Sequence, residues 1–140
     1  MYDVIEKAIL EYLEANWSDT PVDWPNSGLR TEDMVDGGGN KIPWIRPTIE
    51  YDEANNIAIG SKAQRYTGIL DIQIFVGEND GTKDMRAVTK ALHDLLVNTV
   101  TGGVTFLVPN LSDPQFPGGV GQGWFQRNLE TSFRFDNINP

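Results

Sequence analysis

Arg65–Val76 reads RYTGILDIQIFV, and the reading of this stretch decides the fold. Its even positions are Tyr66, Gly68, Leu70, Ile72, Ile74 and Val76; its odd positions are Thr67, Ile69, Asp71, Gln73 and Phe75. Successive side chains of a strand point to opposite faces, so the even set faces a core and the odd set faces a wetter side. The run is long for a strand, and Gly68 predicts a bend or bulge within it. The turn cluster Gly77-Glu78-Asn79-Asp80-Gly81 follows, and then a helix.

On the N-terminal side, Tyr2–Trp17 has the period of an amphipathic helix, with Ile5, Ala8, Ile9, Tyr12 and Leu13 on one stripe. Asp3 is the expected N-cap, with Glu6 completing a capping-box-like pair. Thr20 before Pro21 ends the helix, because the residue before proline is pushed out of the helical region. Val22–Asn26 reads as a short strand stopped by Pro25. Ser27–Lys41 is a long connection whose Asp36, Gly37, Gly38 and Gly39 form a candidate mobile loop. Trp44–Asp52 is a strand with Ile45, Ile49 and Tyr51 on one face and Trp44, Arg46, Thr48 and Glu50 on the other. Pro47 places it at an edge or a bulge. Glu53–Lys62 is a turn-rich link, and Arg65–Val76 returns antiparallel to the strand before it.

On the C-terminal side, Thr82–Val100 is a helix with Met85, Val88, Ala91, Leu92, Leu95 and Leu96 on its apolar stripe. Thr82 is the expected cap, and Gly102-Gly103 the expected stop. Val104–Val108 is a short strand. Pro109–Gly123 is too rich in proline and glycine for a central element, and its Phe116, Gly118 and Gly119 form a second candidate mobile loop. Trp124–Asp136 closes the chain, with Phe125, Leu129, Phe133 and Phe135 on one face and Trp124, Gln126, Asn128, Glu130 and Arg134 on the other. The element order is α-β-β-β-α-β-β. It predicts an α+β fold, a mainly antiparallel sheet of four to five strands with two helices packed on it. The step from Val76 through the second helix to Val104 predicts one parallel pairing by a right-handed crossover.

A chain of 140 residues, 39% hydrophobic and 22% charged, fits one globular domain spanning residues 1–140. It has no cysteine, which excludes a disulfide framework or a thiolate metal site. The N-terminal stretch carries acidic residues and no long apolar run, so it reads as neither signal peptide nor membrane span. The net charge of −9 argues against nucleic-acid binding through general electrostatics. It reads either as solubility or as a surface that tolerates nearby DNA without holding it.

No catalytic constellation survives inspection. The one histidine, His93, falls mid-helix on a polar face, and neither a nucleophile elbow nor a His-Glu-x-x-His pattern occurs. The triple glycine leads into a strand, not a helix, which removes a phosphate cradle. Glu78-Asn79-Asp80-Gly81 lacks the first-position Asp and distal Glu of a calcium loop. No cofactor and no metal ligand set is expected. The outward strand faces stand out instead, with Trp44, Arg46, Ile69, Phe75, Trp124 and Arg134 opposite their strands' core residues. Two readings stand: an oligomer or partner interface, or a second core beneath a covering helix.

Taken in order, the helix ending near Trp17, Val22-Asp23-Trp24-Pro25-Asn26, Pro43-Trp44-Ile45-Arg46, the Arg65–Phe75 strand with its Gly-Glu-Asn-Asp-Gly turn, the second helix and the aromatic-rich Trp124–Asp136 strand resemble the phage tail-terminator-like family of tail-completion proteins. The resemblance covers nearly the whole chain. It implies a non-enzymatic structural protein of the virion tail, present in the host cytoplasm before assembly. It implies a ring, typically a hexamer, that caps the tail tube, ends its polymerisation and joins tail to head. The implied partners are further copies of itself, the tail tube protein and a head-completion protein. DNA passes through without specific binding, and no membrane is involved. The alternatives are another head–tail connector or neck protein, or a small-ligand binding module or enzyme without familiar motifs.

Overall fold

The computed structural model describes residues 1–25, 34–35, 38–58, 60, 62–77, 83–114 and 123–138. Two helices, α1 (Tyr2–Asn16) and α2 (Lys83–Leu96), lie with a seven-stranded sheet. The strands are β1 (Trp44–Tyr51), β2 (Asn55–Asn56), β3 (Gln64–Gly77), β4 (Val100–Thr101), β5 (Val104–Phe106), β6 (Asn110–Leu111) and β7 (Trp124–Asn137). The order across the sheet is β1-β3-β7-β5-β4, with β2 also pairing β3 and β6 also pairing β7. The expected α+β plan is the observed one. The strand number exceeds four to five because β2, β4 and β6 are two-residue strands, too short to carry a period.

β3 and β7 form the spine, paired antiparallel without interruption from Gln64↔Asn137 to Gly77↔Trp124. The alternation read in Arg65–Val76 is the observed one: Leu70, Ile72, Ile74 and Val76 lie in the main core. Gly68 does not mark a bulge, since it stays in register between Tyr51 and Phe133. Its role is steric: a Cβ there would run into the Glu50 carbonyl oxygen and the Phe133 ring. A side chain was left out so that an aromatic ring could cross the strand.

Both helices cover the even face of β3. α1 buries Ile5, Ile9 and Leu13, and α2 buries Met85, Val88, Leu92 and Leu96. Phe106, Leu129, Phe133 and Phe135 complete the layer between helices and sheet. Each such side chain contributes roughly 1.5–3 kcal/mol on leaving water. The Tyr12 hydroxyl donates to the Leu95 carbonyl at 2.8 Å and ties α1 to the end of α2.

Several local expectations are corrected. The residue capping α1 is Met1 without a side-chain bond, and Asp3 sits inside the first turn. Val22–Asn26 forms no named strand among its described residues. Val22 makes a single parallel bridge to Ile45, through Asp23 N–H to Ile45 C=O (2.8 Å) and Ile45 N–H to Pro21 C=O (3.2 Å). α2 stops at Leu96, followed by Asn98 at φ 48, a left-handed conformation that asparagine tolerates. Gly102-Gly103 lies further on, at φ 54 and 85, as the two-residue turn between β4 and β5. Two positive φ values suit a primed hairpin turn. The parallel crossover pairing is absent too, because β7 inserts between β3 and β5 and pairs antiparallel with both. Thr82 lies outside the described residues.

Candidate functional site

With both helices on one side, the odd face of β3 is the sheet's other surface. Its residues come from three neighbouring strands in known register, and three zones follow one another along it.

At the Trp44 end, Trp44 pairs with Phe75 across β1 and β3. Their rings stack with centroids 4.1 Å apart and planes 14° from parallel, and Trp124 meets Trp44 edge-on at 6.0 Å. Met34 completes this second core. Met34 is held by the Ile42 N–H, which donates to its carbonyl at 2.8 Å, and by the neighbouring Val35–Lys41 bridge. Trp44 is 1% exposed, Phe75 0% and Trp124 5%. Of the two readings for these three, an exposed interface or a second core, their burial in the protomer is that of a second core. Among the described residues the cover comes from Met34 and not from α1 or α2, the covering helix of that reading. Among the described residues the Trp44 indole N–H has no hydrogen-bond partner.

Cations close this core. The Arg46 guanidinium lies 5.1 Å from the Trp44 ring centroid and 5.4 Å from that of Phe75, while its Nε donates to Asp23 Oδ2 at 2.8 Å. Lys41 Nζ donates to the Gly123 carbonyl at 2.8 Å and sits 5.3 Å from the Trp124 ring centroid. An ammonium or guanidinium over an indole face is attracted by the ring quadrupole.

In the middle zone, Asp71 sits between Thr48 on β1 and Glu130 on β7, with Glu50 two residues along β1 from Thr48. Burial first, then the charges of Glu130 and Glu50, push the Asp71 carboxyl up to about 6. Its Oδ1 is buried without a hydrogen-bond partner among the described residues. Strand-by-strand reading missed this grouping, because each carboxylate looks ordinary on its own strand. Only the register brings them together.

At the far end, Ile69 is half-buried opposite Ser132, and the exposed Arg134 pairs with Thr67. Arg65 grips Asp136 through Nε at 2.8 Å and Nη2 at 3.0 Å. The guanidinium holds the Asp136 carboxyl below its ordinary range. The six predicted interface residues are thus divided. Trp44, Arg46, Phe75 and Trp124 gather at one end, and Ile69 and Arg134 stand at the other. Gly38 and Gly39 lie between Val35 and Lys41, Gly39 at φ 80; Asp36, Gly37, Phe116, Gly118 and Gly119 lie outside the described residues.

His93 is half-exposed on α2 beside Asp94 at 3.3 Å. Among the described residues no group of three or more His, Cys, Asp or Glu is placed to hold a metal ion, and no helix is long and apolar enough to cross a membrane. What the face offers is area, with a rigid aromatic end and a row of carboxylates.

A family model described as phage tail terminator protein matches residues 4–105. No curated protein matches the sequence. A solved structure 17% identical in sequence aligns over 100% of this chain and 98% of that chain with a TM-score of 0.62, a likeness that shows the fold.

Proposed function

Because this chain belongs to the phage tail terminator protein family, we propose that it assembles into a closed ring, of the order of six copies, that caps the tail tube, ends its polymerisation and joins tail to head. It is a structural protein of the phage tail. The observation that carries the proposal is the sheet face opposite α1 and α2, with Glu50, Asp71 and Glu130 on three adjoining strands. With that face turned to the ring axis, carboxylates meet the phosphates of passing DNA, and like charge keeps the duplex from adhering. The net charge of −9 per copy acts in the same sense.

The reading divides the predicted contact residues by task. Trp44, Phe75 and Trp124 stiffen one end of the sheet from within. Ile69 and Arg134, with Arg46 above the Trp44 and Phe75 rings, are the predicted contact residues left on that face for the tail tube protein or a head-completion protein. The protein acts by shape and charge, without catalysis.

The test is mass in solution by light scattering, repeated after adding the cognate tube protein, with electron microscopy of tube ends. A ring-sized species, alone or on tube ends, supports the proposal. A protomer that leaves tube length unchanged and binds only the portal side overturns it in favour of a head-side neck protein.

A further inference from the structure

Along the molecular edge opposite β1, α2 and β6 leave a cavity of about 300 Å³. Met85, Pro109, Leu111 and Leu129 give it an apolar lining, and Arg86, Lys90 and Arg127 stand around it. These are three cations from a chain that has only 11 against 20 acidic residues. Lys90 shares its charge with Asp94 at 2.6 Å, and Arg86 and Arg127 keep the surround positive. An apolar slot bordered by cations suits a protruding segment that carries an apolar side chain beside carboxylates.

The same chain presents such a segment at its opposite edge. Beyond β1, the connection through β2 exposes Asp52 and Glu53 and then Ile57, 43% exposed. Backbone bonds hold its base: the Asp52 N–H donates to Thr67 O at 2.9 Å and the Ile57 N–H to Ala63 O at 3.0 Å. β2 lies on the β1 side of β3, whereas β6 lies on the far side of β7, so groove and turn occupy opposite edges of the sheet. A contact between two different patches repeats head to tail, which is the geometry that closes rings. It also leaves the carboxylate face of the sheet free of the neighbouring copy. We infer that the α2–β6 groove of one copy receives the Asp52–Ile57 turn of the next copy. The inference rests on the ring reading and names its subunit contact.

The chain contains no cysteine, so single cysteines report the contact cleanly. Ile57→Cys and Leu111→Cys alter exposed positions and are expected to leave the fold intact. Mixed under oxidising conditions, the two variants are expected to give a disulfide-linked pair that neither forms with itself. Asp52→Lys with Glu53→Lys in the Ile57→Cys chain should lower the yield about tenfold. Arg86→Glu with Lys90→Glu in the Leu111→Cys chain should restore it. Light scattering on the same samples reads ring formation separately. Ring-sized mass without the 57–111 link overturns this contact and leaves the ring standing. Protomer mass at every concentration, without the link, overturns the contact together with self-assembly of the free chain. A Leu111→Cys thiol shielded from alkylation in rings yet unlinked to Ile57→Cys assigns the groove to another occupant and also overturns the contact.

Discussion

Asp71 works against the fold at neutral pH. Its carboxyl is raised to about 6 by burial and by Glu130 and Glu50, so the folded state holds a proton that the unfolded chain releases nearer 3.8. Stability therefore falls as pH rises from about 4 to about 6, and the whole penalty is present above that window. Asp71→Asn should stabilise the protomer by about 1 kcal/mol at pH 7.5, a figure discounted for the partial exposure of the group. The gain should vanish toward pH 4. Urea unfolding at a series of pH values checks this, and a pH-independent gain would contradict the cause given. Gly68 makes the converse case, a residue whose missing side chain stabilises. Gly68→Ala would force the Glu50 backbone and the Phe133 ring apart, and should cost about 2 kcal/mol or more in the same assay.

At the scale of elements, β3, β7, α1 and α2 were legible because each repeats its period many times. The even–odd division of β3 put Leu70, Ile72 and Ile74 on the helix side, and the odd division of β7 did the same for Leu129 and Phe133. Other features were not legible, for physical reasons. β2, β4 and β6 hold two residues each; β2 and β6 exist because a neighbouring long strand offers free backbone groups, and β4 as the hairpin partner of the short β5. Met34 stands in no periodic pattern, so Trp44, Phe75 and Trp124 could be placed on their face and a cover weighed, but the residue that supplies it could not be named. The carboxylate row depends on register across three strands, which alternation within one strand does not determine. The second core predicts its own mutational behaviour. Trp44→Ala should cost about 3 kcal/mol, in the range for truncating a buried aromatic, measured as a shifted denaturation midpoint in the isolated protomer. A defect confined to assembly, with protomer stability unchanged, would instead make Trp44 an interface residue.

For the whole molecule, charge is the governing quantity. A chain of net charge −9 should leave duplex DNA unretarded in a gel-shift assay at physiological salt. Glu50→Lys with Glu130→Lys reverses two of the three carboxylates grouped in the middle of the sheet face opposite α1 and α2. In assembled rings this pair should create salt-sensitive DNA retention, whereas the same pair in dispersed protomers should retain far less, because only a ring presents many copies of the face to one duplex. Equal retention by rings and protomers would place that face away from the axis.

The fourteen-residue partnership of β3 and β7 has a mechanical side. Both strands run about 45 Å, longer than α1 or α2, with their cross-links perpendicular to their length. A force along that length loads the whole ladder in shear, and every rung shares it. A force at right angles to it opens the rungs singly, as a zipper opens. Set upright around an axis like the staves of a cask, such pairs would resist thrust along the bore far better than they resist peeling at a rim.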